Sequence, residues 1–234
     1  MEEIIEIDDK YSRFDEVYSF YRAVFPNNDE AETKENILKT LSAVRDGSYG
    51  SNTYHFIALL IDGKIKAIQV GDYYSDSSIC VGEFLGISDE LKGTDYGRLL
   101  FDFFVDLARG DAKRLHKTLK GMIIEVEDPE YTKRPATQLD FFRHLEFKRV
   151  ECKYVQPRLS KNKQPVRELI ILFKPLMDGY WLTSEDMLSC MRDYFRYGMR
   201  IGDPESTEEF KMLKDSLGEE KFAGLMPPPD STIE

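Results

Sequence analysis

The sequence predicts an α/β fold of the α+β kind: a central mixed, mostly antiparallel sheet of six to seven strands, with helices on both faces and a C-terminal helical extension. Three apolar runs at residues 55–61, 65–74 and 79–87 are separated by short turns, which is typical of an antiparallel meander. A strand–helix–strand unit follows, and such a unit implies one parallel strand pair. After Pro175 the periodicity is only helical.

The first half of the chain alternates helical and extended patterns. Residues 3–7 predict a first strand, and Asp62-Gly63 is the strongest short hairpin signal in the chain. Two helices precede the meander. The first has apolar residues at helical spacing up to a stop at Pro26, and the second covers residues 32–45.

The second half begins with a helix after Gly97, whose regular part we expect to end at Gly110. The next buried strand is predicted at residues 121–126. An irregular loop at 128–135 and a short helix at 137–145 come after it. Two further strands are expected, at 147–154 and 168–173, joined by a basic loop at 156–165.

We divide the chain into a domain of residues 1–176 and a helical extension of residues 177–234 with a loose tail from Met226. Thr183 with Asp186, and Ser206 with Glu209, resemble the starts of two helices, and Gly218 ends the second. The apolar faces of these helices must be buried. Three arrangements would bury them: the helices cover the sheet, they form a lid on a binding site, or they join two subunits in a homodimer.

Composition excludes several classes of function. The chain has 234 residues and a formal net charge of -11, which disfavours nucleic acid and anionic membranes and favours a cationic partner such as an amine. No apolar run is long enough to span a membrane, and the acidic N-terminus does not resemble a signal peptide. The three cysteines and three histidines lack metal-ligand spacing, so we expect no metal, and a reducing, cytoplasmic location.

The turn between the third meander strand and the next helix predicts an anion site. It carries Gly93 and Gly97 with Lys92 and Arg98 beside them. Such a turn directs backbone N–H groups and the positive end of a helix dipole at one point, which suits phosphate.

Two motifs in register resemble the GNAT acetyltransferase family. Residues 92–98, Lys-Gly-Thr-Asp-Tyr-Gly-Arg, look like its phosphate-binding turn, and residues 141–147, Phe-Phe-Arg-His-Leu-Glu-Phe, look like its second signature. The order of predicted elements over residues 3–175 is also similar to the family's. The resemblance implies a protein that binds acetyl-CoA, or another short acyl-CoA, and transfers the acyl group to an amine.

The resemblance also implies which residues contact the cofactor. The pantetheine arm would lie along Leu85, Gly86 and Ile87, in a splay between this strand and residues 121–126. The pyrophosphate would lie on the turn, whose residues are Lys92, Gly93, Thr94, Asp95, Tyr96, Gly97 and Arg98. Glycines within a strand, here Gly82 and Gly86, mark either a close approach by a ligand or packing against a neighbouring aromatic ring.

Three positions depart from the family pattern. Asp95 stands where the phosphate turn usually has glycine, and a carboxylate there repels a pyrophosphate unless it faces solvent. Phe142 occupies the position of a tyrosine that in several family members protonates the leaving thiolate, and a phenyl ring has no proton to give. Glu146 replaces a glycine, for which we expect a structural consequence only.

Glu83 is the predicted catalytic base, because it matches the position of a catalytic glutamate in some small-amine GNAT enzymes. A carboxylate facing an apolar cleft would have a raised pKa, suited to taking a proton at neutral pH. An outward-facing surface glutamate is the alternative. Glu125 and Glu127 would bind a cationic acceptor or act through water, and Tyr131 or Tyr154 would replace the missing acid.

The sequence therefore leaves two functions open. The first is an N-acyltransferase acting on a primary amine of a small molecule, by direct transfer with a carboxylate or water-relayed base. The alternative is a non-catalytic module that senses acyl-CoA or binds a protein, suggested by Asp95 and Phe142. The basic loop around Arg158 and Lys163 leaves open an acidic acceptor, such as an amino-acid carboxylate.

Overall fold

The computed structural model describes residues 1–131, 137–218, 222–226 and 228, and it contains one mixed eight-stranded sheet. The strand order is β1-β2-β3-β4-β5-β7-β6-β8, and every neighbouring pair is antiparallel except β4 with β5. The predicted α/β class, the meander and the one parallel pair are confirmed. The sheet has one strand more than the upper limit of the prediction.

The first four strands form one half of the sheet. Their bounds are Glu2–Glu6 for β1, Thr53–Ile61 for β2, Lys64–Tyr74 for β3 and Ile79–Ile87 for β4. Asp62 and Gly63 join β2 to β3, and both adopt positive φ, of 49° and 73°. That conformation is the type I′ turn whose twist matches two antiparallel strands, which is why the dipeptide is a strong hairpin signal.

The other half of the sheet contains β5 at Gly121–Glu127 and β7 at Leu169–Pro175, with two short strands beyond them. β6 covers only Lys148–Val150, so the long strand predicted at 147–154 was wrong; a turn closed by the Cys152 N–H on the carbonyl of Val150 ends it. β8, Leu225–Met226, pairs with β6. The C-terminal extension thus adds an edge strand, which its helical pattern did not predict.

One face of the sheet is covered by α3, Tyr96–Arg114, and α4, Thr137–His144. Their apolar residues share a core with inward-facing residues of β2, β4, β5 and β7. α3 continues through Gly110 for four more residues, so the predicted end at Gly110 was wrong. Ala108 and Ala112, on either side of that glycine, are both buried, and this packing outweighs the weak helix propensity of a single glycine.

The opposite face is covered by two groups of helices. α1, Phe14–Val24, and α2, Lys34–Asp46, pack on β2, β3 and β4. The extension packs on β4, β5 and β7 with α5, Ser184–Asp193, a π-helical turn at Tyr194–Gly198, and α6, Glu208–Leu217. Its apolar faces are therefore buried against the sheet of the same chain.

Of the two helix N-caps predicted in the extension, the first is confirmed and the second was wrong. Thr183 accepts a hydrogen bond from the Asp186 N–H at the start of α5, as predicted. At α6 the cap is Thr207, which accepts from the Phe210 N–H, and not the predicted Ser206. Ser206 instead belongs to a 3₁₀ turn that precedes the helix.

Parts of two predicted segments lie outside the described residues, namely 132–136 of the irregular loop and most of the tail after Met226. Within the part of the chain that is described, no helix is both long enough and apolar enough to cross a membrane.

Candidate acyl-transfer site

The parallel strands β4 and β5 separate halfway along their length. Residues 79–82 pair with residues 121–124, and among the described residues the two strands have no pairing with each other beyond Gly82. In that part of the structure, no strand pairs with residues 83–87 of β4, or with residues 125 and 126 of β5, on the side that faces the gap. Backbone N–H and C=O groups need partners, so this gap can accept an extended ligand that carries amide groups.

A β-bulge interrupts β4 at the top of this gap. Val70 of β3 is opposite Phe84, and Gly71 is opposite Gly82, so Glu83 is an extra residue. The two-residue alternation consequently breaks. Glu83 and Phe84 both face the side of α1 and α2, whereas Leu85 packs into the core beneath α3.

The glycine turn leads from β4 to the N-terminus of α3. Gly93 has a φ of 79°, and the first i to i−4 bond of the helix runs from the Leu99 N–H to the Asp95 carbonyl. The N–H groups at the first turn, on Tyr96, Gly97 and Arg98, are left without partners inside the helix. They point out of the helix N-terminus, as an anion site requires.

The charged side chains of this turn are exposed. Lys92 pairs with Asp89 at 2.6 Å, and Arg98 pairs with Asp102 at 3.0 Å. Asp95 is exposed and its side chain makes no capping hydrogen bond to α3. Surface ion pairs of this kind are weak, so both cations are able to turn toward a phosphate. Thr94 hydrogen-bonds with its hydroxyl to the carbonyl of Leu91, which stabilises the turn.

The two strand glycines of β4 have packing explanations. A Cβ atom on Gly86 would lie 2.7 Å from Val24 Cγ1 and 2.9 Å from Phe25 Cε2. A Cβ on Gly82 would lie 2.4 Å from Met122 Cε. The space at both positions is filled by side chains of this protein, which supports the packing interpretation. Leu85 and Ile87 flank Gly86 and pack against the core on the α3 face.

The second motif lies on α4, where Phe142 belongs to the core. Its side chain is 6% exposed, and its ring contacts those of Phe141 and Phe147 at centroid distances of 5.2 and 5.3 Å. Phe141 in turn lies 3.4 Å from the position of a Cβ on Gly97, so α4 supports the glycine turn from below. Glu146 has a φ of 63°, which explains why a glycine suits this position.

Glu83 lines a recess on the other face of the sheet. The recess is small, with a cavity volume of about 10 Å³, which is room for about one water-sized group, and it opens to solvent between α2, β2, β4 and the extension. Its lining residues are Glu32, Ile37, Thr40, Tyr54, Glu83, Gly198 and Arg200. Glu83 is half-buried and its side chain faces this recess between packed elements, which argues against the surface-glutamate interpretation.

Asp72 of β3 lies beneath Glu83 and is completely buried. Its Oδ1 accepts a 2.7 Å hydrogen bond from the Tyr49 hydroxyl, and its Oδ2 meets no donor in good geometry among the described residues. The half-buried Glu83 carboxyl lies near enough for its charge and that of Asp72 to repel each other strongly. Such repulsion disfavours ionisation of both carboxyls, so the pair is expected to share one proton.

The pKa values of the pair follow from this arrangement. Burial, with the charge of Asp72 beside it, holds the pKa of Glu83 well above its usual range. Burial raises the pKa of Asp72 to about 6, against the lowering effect of the bonds from Tyr49 and Glu83. Both pKa values are raised, so the proton and the negative charge at neutral pH belong to the pair as a unit.

A second carboxylate, Glu125 of β5, lies at the other edge of the gap. Its Oε1 accepts from the Tyr154 hydroxyl, and its Oε2 accepts from Tyr194 at 3.0 Å and from Gln156 at 3.2 Å. Burial raises the pKa of Glu125 to about 7 despite these three donors. Of the two predicted replacement acids, Tyr154 is thus engaged with Glu125, and Tyr131 is 70% exposed.

The extension also closes the recess from above. Arg200 Nη2 makes an ion pair with Glu32 Oε1, and the Arg200 side chain is 31% exposed while that of Glu32 is 9% exposed. The loop between β6 and β7 binds the same region, because Lys163 donates to the carbonyl of Ala31 and the Gln164 N–H donates to Asp29 at 3.0 Å.

Sequence reasoning missed Asp72, Glu32, Tyr194 and Arg200. Asp72 had a signal, because it is a charged residue within a run that otherwise predicts a buried strand. Glu32 and Arg200 had none, since each lies at the edge of a helix-forming segment and they are joined only by the tertiary fold.

Comparison with known proteins supports the fold. No family model and no curated protein sequence matches the chain. Among solved structures, a GNAT-family protein from Bacteroides thetaiotaomicron superposes with a TM-score of 0.57 at 12% identity, over 84% of this chain and 98% of that one. The ribosomal-protein-S18-alanine N-acetyltransferase from Escherichia coli gives 0.51 at 11% identity, over 78% and 100%. An acetyltransferase from Streptococcus agalactiae gives 0.52 at 14%, over 75% and 98%. The chain therefore has the GNAT fold.

Proposed function

We propose that this protein is an N-acyltransferase that moves an acetyl or other short acyl group from a CoA thioester to the primary amine of a small molecule. The observation that carries this proposal is the position of the bulged Glu83. It places a carboxyl group at the start of the gap between β4 and β5, on the face opposite α3. An acyl donor in the gap and an amine in the recess would meet there.

The donor would be held mainly by backbone groups that have no partner among the described residues, with help from two exposed cations. The N–H groups of Tyr96, Gly97 and Arg98 would bind the pyrophosphate, with Lys92 and Arg98 adding positive charge. The edge of β4 at Leu85, Gly86 and Ile87 would pair with the amides of the pantetheine arm. These residues fit an acyl-CoA because the free edge and the helix N-terminus occur consecutively along one strand and turn.

Transfer requires that an ammonium lose one proton before its nitrogen can attack. Glu83 would take this proton on the carboxyl oxygen that faces the recess, while the proton that the pair already shares moves to Asp72. The new N–C bond then forms as the C–S bond breaks, and the thiolate leaves with the electron pair and takes up the second proton that the acylated nitrogen releases. A thiol with a pKa near 8.5 can leave as a thiolate, so the ring of Phe142 need not supply a proton.

The acceptor site is acidic, which supports an amine. Glu32 and Glu83 line the recess and buried Asp72 lies beneath Glu83, with Arg200 as the one cation among the lining residues. The three cysteines are free and two are buried, consistent with a reducing compartment, and we propose the cytoplasm.

The test measures donor binding and turnover separately. Thermal shift with acetyl-CoA and longer acyl-CoAs identifies the donor, and release of free CoA with a panel of primary amines identifies the acceptor. We expect Glu83→Gln to lower kcat by roughly 100-fold, the usual contribution of a general base, with the acetyl-CoA KM unchanged. Glu3→Gln, on the exposed edge strand, is the matched control. Absence of both a thermal shift and CoA release would refute the proposal.

The second candidate is a module on the same fold that binds acyl-CoA without turnover. The buried ring of Phe142 favours it, since the usual proton donor is missing. Tight acyl-CoA binding with no CoA release on any amine, unchanged by Glu83→Gln, would select this function over the first.

A further inference from the structure

The C-terminal extension contributes a charge to the proposed acceptor recess. Gly198 and Arg200 line it together with Glu32 from the loop before α2 and Glu83 from β4. The Arg200 guanidinium binds Glu32 through Nη2, and its backbone adopts a φ of 59°, which is uncommon for a residue other than glycine. A strained residue held at a site by its surroundings is often functional.

The backbone around Arg200 is fixed by packing. A Cβ on Gly198 would lie 2.7 Å from Tyr194 Cδ2 and 3.1 Å from the hydroxyl of Tyr74. The N–H of Ile201 bonds to the carbonyl of Phe195 at 2.9 Å, and Phe195 is completely buried. The core of the extension therefore fixes the backbone from which the Arg200 side chain reaches Glu32.

The charges that face the recess can be counted. Glu32 is negative, Arg200 is positive, and the Asp72–Glu83 pair with its one proton is negative, which leaves one net negative charge. Arg22, Asp29 and Lys163 lie nearby but do not line the recess. One net negative charge in a small recess matches an acceptor that carries one positive charge.

We propose that Arg200 determines acceptor specificity: by neutralising Glu32 it restricts the recess to amines with a single positive charge and excludes diamines. This inference rests on the proposed function for its site, but it concerns the charge of the ligand. A second ammonium group would bring a second positive charge toward the Arg200 guanidinium, and Glu32 is already paired with that guanidinium.

The test compares 1-aminobutane with 1,4-diaminobutane, which differ by one terminal ammonium group. We expect the wild-type protein to prefer the monoamine in kcat/KM. Arg200→Gln leaves two net negative charges, and we expect it to shift the diamine-to-monoamine ratio roughly 10-fold toward the diamine. Arg200→Gln combined with Glu32→Gln restores one net negative charge and should return the ratio to the wild-type value. Arg196→Gln, an exposed arginine of the same π-helical turn, is the control.

Binding of both amines, measured by calorimetry on the same variants, separates this inference from the proposed function. A protein that binds the amines with the expected selectivity but releases no CoA would retain the specificity role and lose the catalytic one. An unchanged ratio in Arg200→Gln, in a variant whose melting temperature shows that it is folded, would overturn the inference. An equal shift in Arg196→Gln would also overturn it, because the effect would then be one of overall charge.

Discussion

Glu83 and Phe84 are adjacent in β4, yet both side chains project from the same face of the sheet. The bulge opposite Val70 and Gly71 produces this arrangement, since it adds one residue to β4 without adding one to β3. The bulge therefore directs two kinds of group from β4 to two different places. Residues after the bulge present their backbone to the gap, and the bulged residue presents a carboxyl group to the recess on the opposite face from α3.

Asp72 is a positioning residue, because it is fully buried and acts on an acceptor only through Glu83. We expect Asp72→Asn to lower kcat by roughly 10- to 100-fold, since it removes the group that receives the Glu83 proton. The loss of a neighbouring negative charge should also lower the pKa of Glu83. The pH–rate profile should therefore change shape, because its acidic limb reports a second protonation of the pair in the wild type and the single ionisation of Glu83 in the variant.

A merely structural role for Asp72 predicts something different. Its loss would then lower the amount of folded protein and leave the shape of the pH–rate profile unchanged. Glu3→Gln, an exposed carboxylate on β1, removes the same amount of charge far from the recess and should change neither kcat nor the profile.

Gly71 and Gly110 offer a matched pair for stability. A Cβ on Gly71 would lie 2.4 Å from the backbone oxygen of Val81 and 2.7 Å from Phe104 Cζ, so Gly71→Ala must displace β4 or α3. We expect a loss of about 2 kcal/mol, typical of overpacking, in denaturant unfolding. Gly110 has nothing within 4 Å of its Cβ position, and Gly110→Ala should stabilise α3 by about 0.5–1 kcal/mol. Similar effects at both sites would contradict this packing.

Gly63 and Gly110 show what the local sequence determines and what it does not. The hairpin at Asp62-Gly63 was predictable because two residues with positive φ define that turn locally. The continuation of α3 past Gly110 was not, since it depends on the burial of Ala108 and Ala112 against other elements. The bulge at Glu83 results from the way β4 pairs with β3. The sequence of β4 alone does not show which residues of β3 lie opposite it, so the bulge could not be predicted.

The candidate site was likewise predictable only in part. The glycine turn at the start of α3 and the splay beside it were predicted from contiguous motifs and a family resemblance. The contacts of Arg200 with Glu32 and of Tyr194 with Glu125 join residues more than 60 positions apart. The extension contains only ordinary amphipathic helices, so its sequence pattern predicts burial but not which charged residues reach the recess.

His55 should make stability depend on pH. Its Nδ1 lies 2.6 Å from Glu6 Oε1 and its Nε2 lies 2.7 Å from Asp111 Oδ2. Burial lowers the pKa of His55, but the hydrogen bonds to Asp111 and Glu6 prevail and raise it to about 9. Both ring nitrogens donate in the imidazolium form.

The raised pKa of His55 determines whether stability rises or falls with pH. The stabilisation is fully present below the unfolded-state pKa of about 6.5 and is lost as the pH rises through about 9. We expect the free energy of unfolding to fall by about 2–3 kcal/mol between these pH values, measured by urea titration. His55→Gln should remove most of this slope, whereas His116→Gln, on the exposed turn after α3, should retain it. A slope that persists in His55→Gln would assign the effect to other groups.

Asp95 is the residue of the glycine turn that most opposes a phosphate. It is exposed and does not cap α3, so Asp95→Asn removes a negative charge beside the proposed pyrophosphate site without removing a structural hydrogen bond. We expect acetyl-CoA to bind roughly 2- to 5-fold more tightly, which corresponds to a partly screened interaction of charge with phosphate. Lys92→Ala should weaken binding by a similar factor.

The effects of Asp95→Asn and Lys92→Ala on acetyl-CoA binding should depend on ionic strength. Both effects should shrink when salt is raised from 0.05 M to 0.5 M, because exposed charges are screened. Asp106→Asn changes the charge by the same amount farther along α3, on a carboxylate that pairs with Arg109, and should leave acetyl-CoA affinity unchanged. If Asp95→Asn and Asp106→Asn bind acetyl-CoA equally well, the phosphate does not lie at the N-terminus of α3.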